Sequence, residues 1–121
     1  MSSIEYEFFI WQRDIEGDEL RFAVQKPFEV LVDLNNLPSI PDAITAIQEV
    51  LEGKMEAYEF GWHRCGCIAF QDTTEIHDFH AEDLGTEPFM TVPTTEILKM
   101  LEEFWAYKEA YESSSRHPKS N

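Results

Sequence analysis

Basic side chains are what this sequence has least of. Nine Lys and Arg stand against 24 Asp and Glu, a formal net charge of -15 over 121 residues. From Cys65 to Leu98 there is no Lys or Arg, while Asp72, Glu75, Asp78, Glu82, Asp83, Glu87 and Glu96 all fall inside that stretch. A field of this sign repels nucleic acid and anionic membrane surfaces and attracts cations over a Debye length of about 10 Å. The expected partners therefore include no nucleic acid and no membrane. Apolar runs are short, and none approaches the roughly 20 residues that cross a bilayer. Met1-Ser2-Ser3-Ile4-Glu5 has neither a basic region nor a small-residue cleavage site, so no secretion signal and a cytoplasmic location are expected. Cysteine is scarce as well. Cys65 and Cys67 are one residue apart, a spacing whose disulfide would close a small strained ring, so reduced thiols are expected. G-x-S-x-G, H-E-x-x-H and the P-loop are all missing.

Apolar and aromatic residues are plentiful. They make up 43% and 13% of the chain, which separates it from disordered acidic chains, because those lack aromatics. At this length one domain is expected, over residues 1–112, with a flexible polar tail over 113–121. Ile4 to Arg13 alternates with period 2, with Ile4, Tyr6, Phe8 and Ile10 on one face, and predicts a strand. Asp14 to Asp18 supplies a turn. Leu20 to Gln25 is expected as a second strand and Phe28 to Leu34 as a third, separated by Pro27. Ser39, Pro41 and Asp42 form a helix start, the stripe Ile40, Ala43, Ile44, Ile47, Val50, Leu51 continues it, and Gly53 ends it. Strands are expected over Met55–Trp62, Cys67–Gln71, Glu75–Phe79 and Phe89–Val92, with His63 to Gly66 as a turn. A second helix begins at Pro93-Thr94-Thr95-Glu96, capped by Thr94, and carries Ile97, Leu98, Leu101, Phe104 and Trp105. The predicted fold is α+β in two layers, a mostly antiparallel sheet of five to seven strands with two amphipathic helices, in the order βββ-α-βββ(β)-α. Ile44, Ile47, Leu51, Leu98, Leu101 and Phe104 should share a core with Phe8, Ile10, Val30 and Ile68.

Three constellations could carry chemistry. His63, Cys65 and Cys67, joined by His77 or His80, hold enough nitrogen and sulfur donors for zinc. Their single-residue gap does not match the two to four residues of a zinc knuckle, and the competing reading makes the cysteines small hydrophobes in a hairpin. A small metal-binding or regulatory domain is thus one alternative, with no metal and no cofactor the preferred expectation. The same cysteines lack the electropositive setting that a nucleophilic thiolate needs, so no catalytic residue is assigned; an enzyme of unrecognised type is the second alternative. The acidic surface is the third. A net charge of magnitude about 2–8 keeps a small domain soluble, and the chain far exceeds it. The excess points to a basic protein partner, met by Asp72, Glu75, Asp78, Glu82, Asp83 and Trp62, since complementary charge speeds association and tryptophan commonly anchors interfaces.

The segment Phe89-Met90-Thr91-Val92-Pro93-Thr94-Thr95-Glu96-Ile97-Leu98-Lys99-Met100-Leu101-Glu102-Glu103-Phe104-Trp105, a strand followed by an acidic, aromatic-bearing helix, resembles the closing element of bacterial immunity proteins of polymorphic-toxin and contact-dependent inhibition systems. The small acidic α+β domain and the mid-chain helix ending in Gly53 agree with that group in order. The resemblance implies a cytoplasmic protein that binds and blocks a cognate toxin domain, often a basic nuclease. No single functional residue transfers with it.

Overall fold

Strand β1, Tyr6–Trp11, pairs antiparallel with β2, Glu19–Val24, in a register that sets Tyr6 against Val24 and Phe8 against Phe22. The computed structural model describes residues 4–11 and 19–116, so the turn expected over Asp14–Asp18 lies outside them. Alternation works as expected in β2, where Leu20, Phe22 and Val24 are buried. In β1 it fails at one end. Phe8 lies against Phe104 and Tyr107, with ring centroids 5.9 and 5.0 Å away, but Ile10 is 39% exposed and does not join the core. β1 is the outer strand of its pair, whereas β2 is sheltered on its far side by the segment that follows.

That segment corrects a sequence expectation. Phe28–Leu34 is not a strand; Glu29–Asn36 is a 3₁₀ helix. Phe28, Leu31 and Leu34 recur every third residue, the period of a 3₁₀ turn, and all three are buried. Val32, which a strand would have shared with Val30 and Leu34, points to solvent. The side chain of Asn35 then does a strand's work. Its Oδ1 accepts from the Phe22 amide at 2.9 Å and its Nδ2 donates to the Phe22 carbonyl at 2.8 Å. One amide side chain thereby satisfies both backbone groups of a residue on the edge of β2.

Helix α1, Ile40–Leu51, follows the sequence closely. Ser39 Oγ accepts from the Asp42 amide, Pro41 occupies the first turn, and Ile40, Ala43, Ile47 and Val50 are buried. At its end Gly53 sits at φ +79°, with its amide bonded to Val50 and that of Lys54 to Glu49. This crossed pair is the Schellman arrangement, and it needs the left-handed backbone that glycine allows.

Four antiparallel strands form the second sheet: β3 (Tyr58–Gly61), β4 (Cys65–Ala69), β5 (Thr73–Asp78) and β6 (Phe89–Pro93), in the order β3-β4-β5-β6. The hairpin turn is Trp62–Arg64, so Cys65 and Gly66, expected in the turn, belong to β4. Cys67 pairs with Phe60 on one side and Ile76 on the other, and both of those are buried, so Cys65, Cys67 and Ala69 face inward. Alternation then turns Ile68 outward between Glu59 and Glu75, and the expectation that Ile68 fills the core is corrected. A short helix α2, Ala81–Leu84, which the sequence pattern had not shown, links β5 to β6 and ends at left-handed Gly85.

Helix α3 runs from Thr94 to Arg116, so Ser113 to Arg116, expected in the tail, continue the helix; residues 117–121 lie outside the described set. Ile97, Met100, Leu101 and Phe104 are buried, while Leu98, Ile44 and Leu51 are half-buried and pack on them. Thr94 does more than start the helix. Its hydroxyl donates to the Phe70 carbonyl at 2.5 Å and leaves a lone pair for the Thr74 hydroxyl at 2.9 Å, while its amide bonds Asp72. Helices α1 and α3 pack on each other, and α3 also meets β2, β5 and β6. The result is α+β in two layers, with six strands among the described residues, in two sheets rather than one. The helices cover one face of the larger sheet. Among the described residues, no helix is long and apolar enough to cross a membrane.

Candidate functional site

The outward face of β3–β6 is set by strand alternation. With Phe60, Cys67, Ile76 and Thr74 inward, Glu59, Ile68, Glu75 and Thr91 form one outward row, and Gly61, Gly66, His77 and Phe89 form the next. His77 lies between two neighbours, its Nε2 3.4 Å from Glu75 Oε1 and its ring 5.1 Å from that of Phe89. The two facing glycines leave a bare strip, and Phe79 lies over it. A Cβ added to Gly66 would stand 2.4 Å from Phe79 Cζ, so the ring rests directly on the glycine. Beside it Trp62, at the hairpin tip, stacks on His63 at 5.0 Å with 12° between planes. Phe79 is 65% exposed, Phe89 42% and Trp62 41%. Large exposed aromatics clustered on one sheet face are the usual mark of a contact surface.

The tip is held from beneath. Asp33, on the 3₁₀ helix, accepts from the amides of Arg64 and Cys65 with one oxygen, at 2.9 and 3.1 Å. Arg64 grips Asp78 with two parallel bonds. Asp78 also accepts from the Thr86 hydroxyl at 2.6 Å and the His80 amide at 3.0 Å. The Arg64 guanidinium first, and then the Thr86 and His80 bonds, hold the Asp78 carboxyl well below the usual carboxylate range against the opposing effect of burial. The same bond holds the Arg64 proton more tightly. These contacts fasten the β3–β4 tip to the loop carrying Phe79 and α2, so both aromatic walls stand on one braced unit.

The acids singled out in the sequence are separated by this fold. Glu75 is on the open face, and exposed Glu82 and Asp83 are on α2, at the same end of the sheet as Trp62. Asp72 lies in the β4–β5 turn at the opposite end, where its carbonyl receives the Thr94 amide. Asp78 differs from the other acids: with a side chain 1% exposed and both oxygens engaged, it braces the tip from within. Glu59, Phe79, Phe89 and the Gly61–Gly66 pair were missed. Their signal was the strand register, which only pairing supplies.

The metal candidates do not converge. Cys65 and Cys67 point into the core with sulfurs 3.6 Å apart, His77 points out of the opposite face, and His63 and His80 are exposed. Among the described residues, no group of three His, Cys, Asp or Glu is placed to hold a metal ion. The hydrogen bond shared with Cys65, with burial, pushes the Cys67 thiol well up, so it stays neutral and packs as a small hydrophobe.

Comparison with family models, with characterised proteins and with solved structures finds no match for this chain.

Proposed function

We propose that this protein is an acidic, immunity-type inhibitor: a cytoplasmic binding protein that neutralises a basic toxin domain by covering its active site. One observation carries the reading. From Met55 to Leu98, the span that builds the four-stranded sheet, the only Lys or Arg is Arg64, and Asp78 already occupies it. Against it stand Glu56, Glu59, Asp72, Glu75, Asp78, Glu82, Asp83, Glu87 and Glu96. An uncovered face with exposed aromatics and this charge suits a cationic protein surface. Aromatics supply the anchors, and exposed carboxylates supply steering and take the place of substrate phosphates on a nuclease.

The test is neutralisation. The reading predicts a basic toxin domain encoded beside this gene, and that domain should lose its activity when mixed with an equimolar amount of the chain. Co-expression of the two should restore growth. Undiminished toxin activity at a large excess of the chain would overturn the reading.

A further inference from the structure

The tip of the open face contains a hollow of about 320 Å³, lined by Glu59, Gly61, Trp62, Gly66 and Phe79 above the inward-turned Phe60, Cys65 and Cys67. Its construction is specific. Gly61 and Gly66 face each other across β3 and β4, so the floor is bare backbone. The tip of the Phe79 ring, Cζ, comes down on Gly66 where a Cβ would stand, and the ring makes one wall. Trp62 makes another, and Glu59, two residues before Gly61 on the same outward face, brings a carboxylate to the rim. The guanidinium of neighbouring Arg64 is engaged by Asp78.

From this geometry we infer that the hollow is a receptor for one arginine side chain of the basic protein partner, an inference that rests on the function proposed above. Aromatic faces carry negative quadrupole potential and attract a cation within about 6 Å of the ring centroid. Guanidinium suits them better than ammonium, because it is planar, weakly hydrated and stacks on rings while presenting N–H groups in its plane to a carboxylate. Trp62 and Phe79 supply the faces, the glycine floor gives the depth for a flat group, and Glu59 supplies the opposite charge. The Trp62 indole is stacked on His63 through one face, which fixes its orientation at the tip. Arginine is thus the hot spot of the interface, and the carboxylates farther out act on the approach.

The experiment titrates the ¹⁵N-labelled full chain with N-acetyl-arginine amide and, separately, with the neutral isostere N-acetyl-citrulline amide. Saturable shifts are expected at the Trp62 indole N–H and the Gly61 and Gly66 amides, with citrulline binding weaker by about tenfold. Glu59→Gln and Phe79→Leu change exposed groups, should leave the spectrum dispersed, and should each weaken the arginine probe by about three- to tenfold. Equal binding of citrulline, or shifts that do not saturate at these three residues, overturns the inference. The two readings separate cleanly. If the cognate toxin domain loses affinity on Phe89→Ala and Glu75→Gln while the arginine probe ignores the hollow, the arginine receptor falls and the docking face stands. If the probe binds at the hollow and the toxin domain is indifferent to all four substitutions, the docking face falls.

Discussion

Arg64 holds both oxygens of Asp78, Nε to Oδ1 at 3.0 Å and Nη2 to Oδ2 at 2.8 Å, and so closes the β3–β4 tip onto the start of the loop that carries Phe79. The pair is asymmetric in exposure, with the Asp78 side chain 1% exposed and that of Arg64 26%. Removing the guanidinium therefore strands a buried carboxylate, and removing the carboxylate strands two donors and the Thr86 hydroxyl.

Asp78→Ala should cost about 1–3 kcal/mol, since the Arg64 guanidinium left behind is partly exposed while the Thr86 hydroxyl and His80 amide lose their acceptor. The pH dependence has a definite sign. Unfolded Asp takes up its proton near pH ~3.9, and folded Asp78 resists until well below that value. Its contribution is fully present above the unfolded pKa and is lost as pH falls through the folded one. Urea melts over an acid series should show stability falling below about pH 4, with a shallower fall in Asp78→Asn by up to about one proton. Equal slopes in the two proteins would show that Asp78 is not the linked group.

The facing glycines should answer a methyl group very differently. At Gly61 a Cβ would stand 2.1 Å from the Cys65 carbonyl oxygen, a backbone atom that cannot turn aside. At Gly66 it would meet only the Phe79 ring, which is 65% exposed and free to swing. Gly61→Ala should lose about 2 kcal/mol or more and Gly66→Ala less than about 1 kcal/mol. The second variant should nonetheless displace Phe79, visible as shifted ring resonances. Equal losses from both would contradict the register of β3 on β4.

How far the sequence was legible depends on where each residue's partners lie. Helix α1 could be read because its cap, stripe and terminal glycine are all local, and Ser39, Ile47 and Gly53 sit as expected. The 3₁₀ helix was misread because Val30, Val32 and Leu34 alternate as a strand would, while Phe28, Leu31 and Leu34 fit a period of three equally well. The decision came from Asn35, whose bonds to Phe22 span 13 positions. Ile68 failed for the same reason: its face is assigned by Phe60 and Ile76 on neighbouring strands. In the site, Trp62 is exposed at the hairpin tip, and Asp78 was indistinguishable by sequence from the solvated acids around it until Arg64, 14 positions earlier, folded against it.

Asn35→Ala should be among the costlier substitutions of a half-exposed polar residue. It leaves the amide and carbonyl of Phe22 without their partner, in a strand whose alternate residues are buried. A loss of about 2–3 kcal/mol is expected from chemical denaturation, and one within a few tenths of wild type would mean that water replaces the amide.

Cys65 and Cys67 are 0% and 2% exposed, and the Cys67 thiol is held neutral. Both should react with an aromatic disulfide reagent only as fast as the chain unfolds, with rates rising in step with urea-induced unfolding. Reaction of either thiol at the rate of a free cysteine under native conditions would contradict their inward orientation.

The most direct measurement of the central claim is the association rate of the purified cognate toxin domain as salt is raised from about 50 to about 500 mM, for the wild-type chain and for a Trp62→Ala, Phe89→Ala, Glu75→Gln variant. The account predicts that the wild-type on-rate falls at least about tenfold with salt, and that the variant dissociates at least about tenfold faster at every salt concentration, because anchors act on the off-rate and carboxylates on the encounter. An on-rate flat in salt, with wild type and variant dissociating alike, would contradict the open acidic face as the surface that meets a basic protein.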